Sequence, residues 1–323
     1  METYDAFKSY YQKELLSDLN LLEKERKKVL KQFLMASALF LVGGIGCLGI
    51  YYVHATPVLY VVPAALIIYT VICYMKYSKL KAVYSINFKK NIIRRIVDFI
   101  QPGLNYYPEK CISQKLFTDS DIFRQSIDSY AGDDCISGTI GKTNFSFSEL
   151  HAQHREVYYN NGRRQERWVK IFKGIFFVAD FNKHFNGRTF VLPDKAENFL
   201  GGIFKFVQKL TVGRGQLVKL ENPQFEKEFV VYSDDQIEAR YILSPALMER
   251  ILKFRQEANS HILLSFVNSC MFLAIPIGAN LFEAKIFSSG MKFEYLVSYY
   301  RYMNLAISII EELNLNTRIW TKT

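Results

Sequence analysis

The sequence is poor in cysteine and contains no Cys-x-x-Cys motif. Of its five cysteines, Cys47, Cys73 and Cys270 lie in long apolar runs, and Cys111 and Cys135 lie in more polar stretches. This distribution supports neither a zinc knuckle nor a disulfide framework. It is the cysteine usage expected of a protein in a reducing compartment.

The sequence also lacks the familiar catalytic motifs. It has no nucleophile-elbow serine, no His-Glu-x-x-His motif and no dinucleotide-binding fingerprint. Gly141-Lys142-Thr143 resembles the end of a phosphate-binding loop, but Ile136 occupies the position where that loop needs its first glycine. We therefore expect a hairpin turn at Gly141 rather than a nucleotide site.

A third absence is that of charge from two long apolar runs near the N-terminus. Phe33–Val53 and Pro57–Met75 contain no charged residue, and each is about as long as a helix that crosses a bilayer. Only residues 54–56 separate them, so residues 33–75 are predicted to form a transmembrane helical hairpin; a hairpin buried in a soluble core is the alternative. Four glycines of the first run are expected to let the second helix approach closely: Gly43, Gly44, Gly46 and Gly49.

Basic residues concentrate on both sides of this hairpin and are absent from its connector. The membrane-proximal basic residues are Lys27, Lys28, Lys31, Lys76, Lys79, Lys81, Lys89, Lys90, Arg94 and Arg95. Since positive charge is retained on the cytoplasmic side, both termini are expected in the cytoplasm. The net charge of +10 favours contact with anionic membrane lipids over contact with nucleic acid, because much of the excess lies beside the hairpin. No nucleic-acid partner is expected.

Amphipathic segments flank the hairpin. Apolar residues recur at near-helical spacing in residues 1–32, which predicts a helix that lies on the membrane, pairs with another helix or simply continues the first membrane span. Residues 76–101 form a basic juxtamembrane helix, which Pro102-Gly103 ends. We interpret it as a surface or stalk helix, because a coiled stalk would follow if the two flanking segments leave an antiparallel hairpin side by side.

Residues 102–323 are predicted to form a cytosolic α+β domain, in which helices cover a mainly antiparallel sheet. Asn-Gly is a strong turn signal, and it separates the predicted strands Leu150–Tyr159 and Arg167–Asp180. Three arginines make this hairpin basic, so a protein partner or lipid headgroups are candidates for contact with it: Arg163, Arg164 and Arg167. A solvated hairpin tip is the alternative.

Further elements follow from local signals. Strands are predicted at Arg188–Leu192, Gln216–Leu220, Phe229–Tyr232 and Ile237–Leu243, and covering helices at Lys195–Lys209, Pro245–Gln256 and Lys292–Leu313. Asp194 and Glu197 form a capping-box pattern, whereas Ser244 caps a helix that starts at Pro245. Ile262–Phe282 lacks charge, and we interpret it as a β-hairpin of Ile262–Val267 and Met271–Ile275 rather than as a third membrane span.

Ionisable residues outside the hairpin suggest only weak candidates for a polar site. Asp180, His184 and Asp234 could lie near one another, but nothing in the sequence orients them as a catalytic set. We therefore assign no catalytic residue, no metal ligand and no cofactor.

Several stretches together resemble a known pattern: Phe145–His151, Gly174–Lys183, Gly187–Asp194, Gly215–Leu220, Val231–Gln236, Tyr241–Arg250 and Glu312–Trp320. The chain resembles an uncharacterised bacterial membrane-protein family, in which two N-terminal transmembrane helices precede a cytosolic α/β domain of unknown function. The resemblance implies the bacterial inner membrane as location. It also implies a LemA-like membrane protein as candidate partner, because members are often encoded near such proteins. It implies no catalytic residues.

The sequence is compatible with three functions. The first is an integral membrane protein that holds a cytosolic interaction or scaffold domain at the inner membrane, where it binds a protein partner or anionic lipid. The second is an oligomeric channel or transport component, in which the glycine-rich helix packs against copies of itself. The third is a membrane-anchored enzyme with an unidentified substrate.

Overall fold

A computed structural model describes residues 4–52, 61–181, 184–194 and 213–312. Its contacts divide the chain into two compact units: Met1–Ile100 with Phe282–Tyr300, and Gln101–Leu281 with Arg301–Thr323. The predicted helix Lys195–Lys209, with Glu197 of its capping box, and the connector of the apolar hairpin lie outside the described residues.

Helices and strands follow one another along the chain in two blocks. The helices are α1 (Tyr4–Tyr10), α2 (Leu16–Tyr52), α3 (Val61–Phe88), α4 (Arg94–Ile100), α5 (Gln114–Asp119), α6 (Pro223–Glu228), α7 (Gln236–Ile242), α8 (Pro245–Ala258) and α9 (Phe293–Glu312). The strands are β1 (Asn105–Tyr107), β2 (Ser129–Ile140), β3 (Thr143–Asn160), β4 (Arg163–Asp180), β5 (Thr189–Pro193), β6 (Gln216–Val218), β7 (Phe229–Ser233), β8 (Leu263–Val267) and β9 (Cys270–Pro276). Short π-helical turns, Tyr11–Leu15 and Lys89–Ile93, join α1 to α2 and α3 to α4.

The first unit is built around the antiparallel pair α2 and α3. The side chain of Gln32 donates to the carbonyl oxygen of Cys73 at 3.3 Å, and that of Asn87 donates to the carboxylate of Glu25 at 3.1 Å. Because residues later in α2 contact residues earlier in α3, the two helices run in opposite directions. The predicted helical character of both long apolar runs is confirmed.

The segments that flank this pair bury their apolar residues within the same unit. The ring of Phe7 stacks on that of Tyr300 with centroids 4.4 Å apart, and the hydroxyl of Tyr11 donates to the carbonyl oxygen of Met291 at 2.9 Å. Ile92 and Ile96 are fully buried. Protein therefore covers the apolar side chains of residues 92–97, whereas Val83, nearer the start of the segment, is 55% exposed. The buried part favours the stalk interpretation over a helix that lies on the membrane surface.

The second unit contains a nine-stranded sheet in the order β1-β2-β3-β4-β9-β8-β5-β7-β6, and its recorded strand pairs are all antiparallel. The predicted α+β fold with a large antiparallel sheet is therefore confirmed. Aromatic residues fill one part of its core, where the rings of Phe117 and Phe123 stack with centroids 5.0 Å apart and Phe172, Phe176 and Phe190 are buried.

Tight turns fix the register of three hairpins. Gly141 and Lys142 separate β2 from β3, so the Gly-Lys-Thr triplet is a turn and not a phosphate loop. Asn161 and Gly162 both have positive φ, as the two-residue turn between β3 and β4 requires. The late apolar run forms the predicted hairpin of β8 and β9, and the alternative of a third membrane span is wrong because both strands are short and pair with each other.

One predicted strand is wrong. Of the predicted strand Ile237–Leu243, all residues but the last lie in helix α7, because the carboxylate of Asp235 accepts hydrogen bonds from the backbone nitrogens of Ile237 at 2.7 Å and Glu238 at 3.1 Å. This N-cap satisfies donors that a strand would have left to a neighbouring strand, and it outweighs the β propensity of the isoleucines and tyrosine. The cap of α8 is Ser244, as predicted.

The last helix, Phe293–Glu312, has nearly the predicted extent, and the expectation that its apolar face covers the sheet stays a prediction. Phe293 contacts the ring of Tyr11 with centroids 5.0 Å apart, and Tyr300 contacts Phe7 and Phe99. The first two turns of α9 therefore pack within the helical unit.

Candidate functional site

A belt of exposed apolar side chains covers α2 and α3 over residues 33–52 and 61–75, and we call it the apolar belt. Both helices are long and apolar enough to cross a membrane. No residue of these two ranges is charged. The exposed large apolar side chains of the belt are Leu34, Met35, Phe40, Leu41, Val42, Ile45, Leu48, Tyr51, Tyr52, Val61, Val62, Ile67, Ile68, Tyr69, Val71, Ile72, Tyr74 and Met75.

The dimensions of the belt suit a bilayer. Residues 33–52 rise by about 30 Å at 1.5 Å per helical residue, which is the thickness of the hydrocarbon core. Tyr51 and Tyr52 lie at the end of α2, at the far end of the belt. Tyrosine is enriched at membrane–water interfaces in general, so this position suits the edge of a bilayer. A soluble monomer rarely exposes an apolar surface of this extent to water.

The hydrogen bond between Gln32 and Cys73 sets the register of the basic residues at the other end of the belt. Because the helices are antiparallel, the lysines that precede Gln32 lie at the same level as those that follow Cys73. The exposed lysines of the predicted basic set are Lys27, Lys28, Lys31, Lys76, Lys79, Lys81 and Lys90, and we call them the lysine collar.

The other three predicted basic residues form ion pairs within the helical unit. Lys89 is buried and its Nζ lies 3.3 Å from a carboxylate oxygen of Glu283. The guanidinium of Arg94 pairs with Asp98 at 3.2 Å, and that of Arg95 pairs with Asp18 at 3.0 Å. These three are therefore weaker candidates for headgroup contact than the lysine collar.

A second feature is the long hairpin of β3 and β4, which extends past its neighbours in the sheet. The ladder with β2 ends at Gln153, and the ladder with β9 starts at Gly174. Among the described strands, residues 154–169 pair with one another alone, down to the turn at Asn161 and Gly162. We call residues 154–169 the ribbon.

The ribbon exposes aromatic and basic side chains together. Tyr159 is 73% exposed and Trp168 is 55% exposed. Trp168 lies on the same face as its cross-strand partner Arg155. Arg155 and Tyr159 are an even number of positions apart on β3, so Tyr159 and Trp168 share that face. The ribbon carries four arginines and two glutamates.

Two of the predicted contact arginines have ion-pair partners on the ribbon. The guanidinium of Arg164 pairs with Glu166 at 2.8 Å, and that of Arg167 pairs with Glu156 at 2.6 Å. Arg163, at the turn, has no ion-pair partner among the described residues. The structure thus brings the three predicted arginines together on one exposed hairpin end and leaves Arg163 as the most available of them.

The weak polar candidates do not form a set. Asp180 lies at the end of β4 opposite Cys270, His184 is exposed in the loop before β5, and Asp234 pairs with Arg188. Within the described part of the chain, no hydrogen bond joins any two of the three candidates. The described hydrogen bonds therefore do not bring the three candidates together.

Asp234 belongs instead to a cluster of five charged residues that the sequence did not reveal: Asp121, Arg124, Arg188, Arg214 and Asp234. We call it the arginine cluster. The guanidinium of Arg188 donates to Asp234 at 2.7 Å and to Asp121 at 2.9 Å, and that of Arg124 donates to Asp121 at 2.7 Å. Hydrogen bonds from Arg188 hold the pKa of Asp234 below its ordinary value.

Arg214 is the buried member of the cluster. Its Nη2 donates to the carbonyl oxygen of Ile122 at 2.7 Å, and its guanidinium carbon lies 4.3 Å from the centroid of the Phe190 ring. Burial, together with the neighbouring charge of Arg124, lowers the pKa of Arg214 to about 10. In the sequence, Arg214 stands between two glycines and indicates only a turn.

Comparisons with known proteins give a family of unknown function. Residues 170–315 match the family described as "Protein of unknown function (DUF3137)", which agrees with the resemblance to an uncharacterised domain family. The match runs from within β4 into the region of α9. No curated protein is similar enough to the chain to count as a relative.

Among solved structures, the crystal structure of the mycobacterial trehalose monomycolate transport factor A, TtfA, is similar over 71% of this chain and 97% of that chain. The sequence identity is 11% and the TM-score is 0.31. At this level of similarity neither fold nor function transfers to the present chain.

Proposed function

We propose that this protein is a membrane-anchored protein-binding module. The helices α2 and α3 insert into the bacterial inner membrane, both termini lie in the cytoplasm, and the ribbon binds a partner protein. The observation that carries the binding role is the ribbon, since it combines exposed tyrosine and tryptophan with arginine on a hairpin end.

The apolar belt and the lysine collar support the anchoring part of the proposal. A bilayer is the solvent that an uncharged, exposed apolar surface of about 30 Å prefers. Lysines gathered at one end of the belt favour the cytoplasmic side for that end, and they are attracted to anionic headgroups there. The residues that lead into α2 and out of α3 start from this basic end, which supports a cytoplasmic location for both termini.

The composition of the ribbon supports a protein partner. Tryptophan, tyrosine and arginine are the residue types that contribute most often to binding hot spots. Arginines outnumber glutamates on the ribbon, so a partner surface with acidic and apolar residues is complementary to it. The family resemblance makes a LemA-like membrane protein the first partner to test.

The two alternative functions receive less support. Ion pathways through a membrane usually contain ionisable residues, and residues 33–52 and 61–75 contain none. The candidate site of an enzyme was Asp180, His184 and Asp234, and these residues are not joined in the described structure.

The test is capture of partners from native membranes with the full-length, tagged protein. The variant Tyr159→Ala/Trp168→Ala is expected to lose the partner that the wild-type protein recovers in stoichiometric amount. Ile237→Ala is the matched control, because Ile237 is an 81% exposed apolar residue away from the ribbon. Equal recovery of the partner by all three proteins contradicts the proposal.

A charge variant separates protein binding from lipid binding. Arg163→Glu is compared with Lys142→Glu, which changes an exposed cation at a different turn. We expect Arg163→Glu to weaken partner capture and to leave sedimentation with anionic vesicles unchanged. Loss of vesicle binding with partner capture unchanged would assign the ribbon to headgroups instead.

A further inference from the structure

The buried guanidinium of Arg214 is not fully paired. Its side chain has no exposed surface, and Nη2 alone has an acceptor, the carbonyl oxygen of Ile122. Neither Nε nor Nη1 has a hydrogen-bond partner among the described residues. Buried donors of a charged group are rarely left in this state, because their desolvation is expensive.

Nearby carboxylates do not supply the missing acceptors. Both oxygens of Asp121 accept from Arg124, and one of them also accepts from Arg188. Both oxygens of Asp234 accept from Arg188. Among the described residues, the two aspartates of the cluster accept hydrogen bonds from Arg124 and Arg188, and neither accepts one from Arg214.

The backbone around Arg214 is shaped to hold this side chain inside. Gly213 and Gly215 have φ values of 75° and 84°, which favour glycine. A Cβ atom on Gly215 would lie 2.1 Å from the carbonyl oxygen of Ser233, so only glycine lets the chain lie this close to β7. A Cβ atom on Gly213 would lie 3.3 Å from Nη1 of Arg124. The two glycines thus place Arg214 beside the other arginines.

We propose that the arginine cluster binds a small oxyanion, a carboxylate or phosphate group, through Nε and Nη1 of Arg214. The negative charge of the anion compensates the positive charge of Arg214, and its oxygens supply the acceptors that Nε and Nη1 lack among the described residues. Guanidinium groups recognise carboxylate and phosphate through several N–H donors at once. This site is separate from the ribbon, so it does not depend on the proposed partner-binding role.

Thermal unfolding of the full-length protein in a neutral detergent tests this proposal. The probes are sodium phosphate and sodium acetate, each compared with sodium chloride at the same ionic strength. A ligand that binds the folded state alone raises the Tm, by about 3 °C at a tenfold excess over its Kd. The acetate and phosphate series show which of the two groups the cluster prefers.

Variants locate the effect. Arg214→Met keeps an apolar stem over Phe190 and is expected to abolish the response to both anions, whereas Arg240→Met, at an exposed arginine of α7, is expected to keep it. If Arg214→Met does not fold, Arg214→Lys serves in its place. It is expected to raise the Kd for the anion at least about tenfold, since an ammonium cannot donate from two nitrogens.

The outcomes are distinct. A specific rise in Tm that disappears in the Arg214 variant supports the oxyanion site. A wild-type protein whose Tm does not respond to phosphate or acetate overturns it, and so does a response that Arg214→Met retains in full.

Discussion

Arg188 donates from Nε to Oδ2 of Asp234 at 2.7 Å, and the backbone nitrogen of Asp234 donates to the carbonyl oxygen of Arg188 at 3.1 Å. These residues extend the β5–β7 ladder, whose neighbouring pair is Thr189 with Ser233. Asp234 therefore contributes to the structure of the sheet end.

The first prediction concerns the pH dependence of this pair. Asp234→Asn is expected to lower the free energy of unfolding at pH 7 by about 1 kcal/mol, a value that allows for the partial exposure of both side chains. The pKa of Asp234 is lowered in the folded state, so its contribution is present above the unfolded value of 3.8 and is lost as the pH falls through the native value.

Urea unfolding of the wild-type and variant proteins at several pH values measures this difference. The free energies of unfolding of the two proteins should converge as the pH falls from about 4 through the lowered native pKa of Asp234. Glu109→Gln, at an exposed carboxylate without an ion-pair partner among the described residues, is the control and should change little. A difference between the wild type and Asp234→Asn that stays constant down to the lowest pH would exclude the assigned role.

The second prediction concerns the turn between β8 and β9. Asn268 and Ser269 have φ values of 51° and 60°, and serine is disfavoured there. Ser269→Gly is expected to raise stability by about 0.5–1 kcal/mol, because the removed strain exceeds the added entropy of the unfolded chain. The reciprocal change Gly162→Ser, at the same kind of turn, should destabilise. Thermal denaturation of both variants checks the opposite signs; a stability loss in Ser269→Gly would show that the turn is unstrained.

The third prediction concerns the centre of the sheet. Gly174 has a φ of 152°, and a Cβ atom there would lie 2.1 Å from the carbonyl oxygen of Ile275. Gly174→Ala is expected to cost about 3 kcal/mol or more, because the β4–β9 ladder would have to separate. Gly278→Ala is the control, since no atom lies within 4 Å of its added Cβ. If Gly174→Ala and Gly278→Ala unfold at the same denaturant concentration, β4 does not approach β9 as closely at Gly174 as described.

The fourth prediction concerns the packing of α2 on α3. A Cβ atom on Gly43 would contact Ile67 at 3.3 Å, whereas one on Gly44 would meet no atom within 4 Å. Gly43→Leu is therefore expected to overpack the pair and destabilise it by about 1–3 kcal/mol, and Gly44→Leu should be tolerated. The melting of helical circular dichroism in nanodiscs distinguishes the two variants. A larger effect of Gly44→Leu would mean that a different face of α2 meets α3.

Much of the fold was predictable from the sequence because its signals are local. The length of the uncharged runs predicted both long helices, and Asn161-Gly162 predicted the β3–β4 turn. Of the four glycines expected to face the second helix, Gly43 and Gly46 do so, while an added Cβ on Gly44 or Gly49 would meet no atom of the described residues within 4 Å. The side of α2 on which each glycine lies depends on its position along the helical turn, and the presence of a glycine alone does not reveal that side.

Other features could not be predicted, because they depend on contacts between distant parts of the chain or on a helix cap that outweighs local β propensity. The strand expected at Ile237–Leu243 is helix α7, since the carboxylate of Asp235 caps it. The arginine cluster gathers residues from four separate stretches of the chain, and its members show no motif in the sequence. The pairing of Asp234 with Arg188 could not be predicted for the same reason.

The central claim is that α2 and α3 anchor this protein in a membrane, and fractionation of lysed cells tests it most directly. After high-speed centrifugation and an alkaline carbonate wash, the full-length protein should stay in the membrane pellet and should enter the supernatant only when detergent is added. Recovery of the folded protein in the supernatant without detergent would contradict the account.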